Sequence, residues 1–115
     1  MAEATIDRET YDELIATAGA EFVGELVDTF LAEAPLMLDD LRSALAAGDA
    51  NRFRRAAHSL KSNGNTFGAS TLGAMARALE LGGLEPVLEA KGEPLAALER
   101  EYTRVAHALS ELTRG

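Results

Sequence analysis

The residues best suited to chemistry lie in one short stretch, Arg54-Arg55-Ala56-Ala57-His58-Ser59-Leu60-Lys61-Ser62-Asn63-Gly64-Asn65-Thr66-Phe67-Gly68. At a helical period its side chains divide into two faces. Phe53, Ala57, Leu60, Gly64 and Phe67 fall on one side as a core stripe. Arg54, Arg55, Lys61, Ser62 and Asn65 gather on the other, with His58 near their centre. A neutral imidazole with one free ring nitrogen is a nucleophile. Nearby cations disfavour its protonated form and would interact favourably with an anionic group attached to it. Helical spacing makes Lys61, one turn after His58, the best placed of them. The stretch therefore reads as a site that carries a phosphoryl group on histidine.

The charge distribution points the same way. The 115 residues carry a net charge of −8, yet no Asp or Glu occurs between Ala50 and Leu79, where Arg52, Arg54, Arg55, Lys61 and Arg77 all lie. Clearing carboxylates from around one histidine suits anionic chemistry there. The acidic total argues against nucleic acid or anionic membrane as partner. Without cysteine, disulfides and thiolate metal sites are excluded. No apolar run approaches the roughly 20 residues that span a bilayer. Met1-Ala2-Glu3-Ala4 lacks the basic start and apolar stretch of a signal peptide, so a cytoplasmic location is expected.

Other chemistries find little support. A di-metal carboxylate bundle needs Glu-x-x-His pairs, but Arg55 and Arg104 stand three residues before His58 and His107. His107 projects away from the neighbouring apolar stripe and reads as a solvated surface residue. Gly19-Ala20-Glu21-Phe22-Val23-Gly24 lacks the Gly-Lys-Ser/Thr ending of a phosphate-binding loop. Ser59 adjoins His58, but consecutive helical residues do not face each other, which disfavours a serine–histidine pair. The chain is expected to be a phosphoryl carrier with no kinase or ATP site, no cofactor and no metal of its own.

The elements that must position this site are all helical. Asp7 can cap a short first helix with Tyr11, Leu14 and Ile15, stopped at Gly19. Phe22, Val23, Leu26, Val27, Phe30 and Leu31 predict a second helix. Pro35 predicts a kink or a new start, followed by a third helix with Leu36, Leu38, Leu41 and Leu45 that ends near Gly48. Asp49 can cap the histidine helix, from about Ala50 to Thr66. Ser70 can cap a helix bearing Leu72, Met75, Ala76 and Leu79, which Gly82-Gly83 breaks. The segment from Leu84 to Gly92 reads as either a loop or a single turn. Pro94 opens a last helix whose Leu95, Leu98, Tyr102, Val105, Leu109 and Leu112 recur three and four apart. The expected architecture is all-α, an antiparallel four-helix bundle with a short additional N-terminal helix, forming one domain over residues 1–115.

His58-Ser59-Leu60-Lys61-Ser62, with Gly68 ten positions after the histidine, resembles the signature of the histidine-containing phosphotransfer (HPt) domain. The helical order resembles that family along essentially the whole chain, although Ser62 stands where many members have Gly. The resemblance implies a carrier in two-component signalling, accepting a phosphoryl group from a receiver-domain aspartate and passing it to another receiver aspartate. It implies His58 as phosphoacceptor and Lys61 as phosphoryl support. Ser62, Gly64 and Gly68 would serve partner approach and helix packing, and Arg54 and Arg55 would steer the partner or simply solubilise the helix. The partners implied are receiver domains of response regulators and hybrid histidine kinases, which supply the acidic pocket and its Mg²⁺. A monomer is the simplest state. Two other readings stay open at this point, a non-catalytic helical adaptor and the phosphoacceptor domain of a chemotaxis-type kinase. Whether the chain stands alone or is a module of a hybrid kinase is also open.

Overall fold

The computed structural model describes residues 5–114, with side chains through Thr113. Met1, Ala2, Glu3 and Ala4, where no signal peptide was expected, lie outside the described residues. Six helices follow in order: α1 (Arg8–Ala18), α2 (Ala20–Ala47), α3 (Ala50–Thr66), α4 (Ser70–Gly82), α5 (Leu84–Glu89) and α6 (Glu93–Arg114). The four long ones close a ring, α2 packing on α3, α3 on α4, α4 on α6 and α6 on α2. Phe53, Leu41, Leu60, Leu72, Leu98 and Leu109 fill its interior with no exposure beyond 2 %. Short α1 rests on α2 and α3, and short α5 on α4 and α6.

The junctions that aim α3 are set by local chemistry. Gly48 takes a left-handed conformation (φ 70°) that ends α2, and Asp49 then accepts the amide of Arg52 at 3.1 Å to start α3. With only two residues between them, α2 and α3 must run antiparallel. At the far end of α3, Gly68 also has a positive φ (84°), and its carbonyl accepts the amide of Asp7 at 2.8 Å. Asp7 in turn caps α1 as expected, accepting the amide of Glu9.

Three expectations need correction. Pro35 neither ends α2 nor starts a new helix, for α2 runs through it for 28 residues. A proline inside a helix costs about 3 kcal/mol or more. Here Val23, Val27, Phe30, Ala34, Leu38, Leu41 and Ala44 keep one buried stripe in phase on both sides of it, and that burial offsets the loss. Pro35 leaves the carbonyl of Leu31 without its helical donor, and the hydroxyl of Tyr102 on α6 reaches that oxygen at 3.5 Å. Phe22 and Leu36 leave the predicted stripe, with 52% and 63% exposure, because they lie outside the arc those residues define. Ser70 is not a cap: Ala69 holds that position, and it makes no side-chain cap hydrogen bond.

The ambiguous segment after Gly83 forms α5, anchored by buried Val87. Among the described residues, no helix is long and apolar enough to cross a membrane.

Candidate functional site

The site is assembled where α4 crosses the outer face of α3. His58 leaves 57% of its side chain in solvent, and its Nδ1 lies 2.8 Å from Oε2 of Glu80 on α4. The other oxygen of the same carboxylate accepts a hydrogen bond from Lys61 Nζ at 2.8 Å. Glu80 keeps only 16% of its side chain exposed, so the bridge lies in the groove between the helices. Hydrogen bonding from Lys61, and then from His58, holds the Glu80 carboxyl below the usual carboxylate range.

An ionised carboxylate only accepts hydrogen bonds, so the contact to His58 requires a hydrogen on Nδ1. In the neutral ring this leaves the lone pair on Nε2. One glutamate thus fixes the tautomer of an exposed imidazole and places a lysine beside it. The arrangement suits nucleophilic attack by Nε2 on an electrophile arriving from solvent, with an ammonium group close by for developing negative charge.

Residues 25–112 match the family of the Hpt domain. The chain belongs to that family. It is a histidine phosphotransfer protein of phosphorelay signalling. Among solved structures it is similar to the histidine-containing phosphotransfer protein B (HptB) from Pseudomonas aeruginosa PAO1, with a TM-score of 0.87 and 26% identity over 98% of this chain and 97% of that one. No curated protein sequence matches it.

Within this Hpt domain the structure redraws the charge around the histidine. The carboxylate-free zone expected from the sequence ends at Glu80, one residue past Leu79, and the fold brings that acid to His58. Lys61 is not a free surface cation but a partly buried partner of Glu80. Arg54 is exposed and donates to Asn51 Oδ1 at 3.2 Å. Arg55 lines an open cleft on the α2 side together with Met37, Asp40, Arg52 and Ser59. Ser62 is exposed on the histidine face, its carbonyl accepting the Thr66 hydroxyl.

Gly64 and Gly68 take packing places rather than surface ones. A Cβ on Gly64 would stand 3.3 Å from Leu72 Cδ2, and one on Gly68 would stand 2.8 Å from the carbonyl oxygen of Asp7. Both are buried, so neither offers a surface for partner approach. Asn65, unassigned in the sequence reading, fills the space above Gly73 on α4, where a Cβ would collide with its Oδ1.

Glu80 was the residue that sequence reasoning missed. A signal for it existed. On α4 it follows Gly73 by seven and buried Ala76 by four residues, and so shares the face turned to α3. Reading it as a partner of His58 needs the α3–α4 pairing, which only the fold supplies. His107 sits where expected, 79% exposed, and among the described residues it meets only Glu111 of its own helix, at 4.0 Å. Among the described residues no cluster of three or more His, Cys, Asp or Glu side chains is placed to hold a metal.

Proposed function

We propose that His58 is the phosphoacceptor and that Nε2 is the attacking atom. The observation that carries this reading is the shared carboxylate, Glu80 within 2.8 Å of both His58 Nδ1 and Lys61 Nζ. Nε2 attacks the phosphorus of a receiver's aspartyl phosphate. The N–P bond forms as the P–O bond to aspartate breaks, and the aspartate leaves as a free carboxylate. The ring becomes a phosphorylated imidazolium whose Nδ1 hydrogen stays directed at Glu80, so the positive ring faces a negative partner. The reverse step returns a neutral imidazole as leaving group. Both directions use the same atoms, as a carrier between two receivers requires.

Lys61 supports the phosphoryl oxygens by turning part of its bonding from Glu80 toward them. The receiver brings the Mg²⁺ and the acidic pocket, and the Hpt domain contributes the nucleophile and its orientation. In this reading the chain is a monomeric cytoplasmic carrier with no ATP site or cofactor of its own, and Ser62 leaves room for the receiver beside His58.

The test is transfer from a labelled receiver domain in Mg²⁺ to wild type and to His58→Gln in parallel. Acid-labile, base-stable label on wild type alone is the expected result. Binding of receivers without label would make the chain an adaptor. Labelling only by a kinase ATP domain would make it a chemotaxis-type phosphoacceptor domain.

A further inference from the structure

The seam between α3 and α4 holds one charge that the mechanism above does not use. Arg77 lies four residues after Gly73, which Asn65 covers, and three before Glu80, which binds His58 and Lys61. Residues three and four apart share a helix face, so Arg77 stands on the α3-facing shoulder of α4, near the level of Lys61 and Ser62. It is exposed. Arg8, Arg42, Arg52, Arg100 and Arg104 each meet a carboxylate. Arg77 makes no hydrogen bond or ion pair with any described residue, although the chain carries a net charge of −8.

Charge balance at the phosphorylated histidine gives this arginine a purpose. Glu80 cancels the charge of Lys61. With the imidazolium counted, a phosphoryl group of about −1.5 to −2 leaves the cluster negative by roughly one charge. The phosphoryl oxygens would then sit close to the Glu80 carboxylate with only a shared lysine to offset it. A second cation restores neutrality, and the planar guanidinium can bond two phosphoryl oxygens at once. Ser62, small and exposed, leaves the path across the seam open. Arg54 is turned instead toward Asn51, and Arg55 toward the α2 side.

We propose that Arg77 is a second phosphoryl-binding residue, which closes over the phosphate on His58 from α4 as Lys61 does from α3. The proposal rests on His58 being the phosphoacceptor.

The test uses phosphoramidate, a small donor, so that no receiver surface is involved. Nε2 of His58 forms its bond to phosphorus as the donor's P–N bond breaks and ammonia leaves. Wild type, Arg77→Ala, Arg77→Lys and the surface control Arg100→Ala are compared for loading rate. The second ionisation of the bound phosphoryl group is followed by phosphorus NMR. Loss of one charge-assisted contact predicts about three- to tenfold slower loading for Arg77→Ala, with the phosphoryl pKa raised. Arg77→Lys should recover part of both, and Arg100→Ala should match wild type. An unchanged phosphoryl titration in Arg77→Ala would overturn the proposal and leave the reading of His58 standing. So would loading from phosphoramidate at the wild-type rate beside slowed transfer from a phosphorylated receiver domain run in parallel, which would make Arg77 a partner contact. Failure of wild type to take label at His58 would remove both readings.

Discussion

The two histidines sit in regions that look alike in sequence and differ in three dimensions. Both project from the outer face of a helix beside an arginine three or four residues away, although only His107 also has acids nearby in sequence. Among the described residues His107 has only Glu111, four residues on along the same helix face, exposed and 4.0 Å away. His58 has a carboxylate from another helix at 2.8 Å, partly withdrawn from water and already tied to Lys61. A contact between two exposed side chains of one helix is easily replaced by water. A contact built across a packed seam persists because the helices hold it. An exposed histidine becomes a defined nucleophile when a second element fixes which nitrogen carries the hydrogen.

The sharpest way to break this contrast is to remove each ring. His58→Gln should abolish phosphoryl labelling, whereas His107→Gln should leave it at the wild-type level. Both should melt within a few degrees of wild type, since exposed substitutions change stability by about 0.5 kcal/mol. A large drop in melting temperature for His58→Gln would contradict its exposed placement. Next in size, Glu80→Ala should slow transfer by about ten- to a hundredfold, by analogy with loss of the carboxylate that orients a metal-bound histidine. Lys61→Ala should cost less, about tenfold, because it removes one charge-assisted contact. Equal rates for Lys61→Ala and wild type would make the lysine a bystander.

Two smaller effects sharpen the comparison without removing either ring. Nitrogen NMR at a pH where both rings are neutral should find His58 held in its Nδ1–H form, and His107 distributed between tautomers. Glu80→Gln should release part of the preference at His58 and leave His107 untouched. The pH dependence follows from the lowered pKa of Glu80. A group whose folded pKa is depressed stabilises the fold above its unfolded value, and that contribution is lost as pH falls through the folded value. The stability difference between wild type and Glu80→Gln should therefore be present at neutral pH and vanish in acid. A difference that grew in acid would mean that the bridge is not ionic.

Much of the fold was legible because its signals are local. Asp7 and Asp49 cap the helices they precede, and Gly19, Gly48 and Gly83 end them. The misreadings share a cause. Pro35 has a local cost that can be read along the chain, but the continuous buried stripe of α2 and the reach of Tyr102 from α6 are tertiary compensations. Ser70 had the right residue type for a cap, yet the turn through Gly68 and Ala69 starts α4 one residue earlier. Leu36 and Phe22 are apolar at nearly helical spacing, and their exposure was decided by which arc faces the bundle.

By itself the sequence determined that this chain would be an all-helical bundle presenting a histidine and a lysine one turn apart on a polar face. Helical period, caps and glycine stops act over a few residues, so they can be read along a line. Only the tertiary structure decided the chemistry of that face. It placed Glu80, 22 positions further on, against both His58 and Lys61. It also turned Gly68 into the seat of Asp7. The reason is geometric: antiparallel packing brings together residues whose distance along the chain carries no signal, and their hydrogen bonds set the tautomer and charge on which reactivity depends.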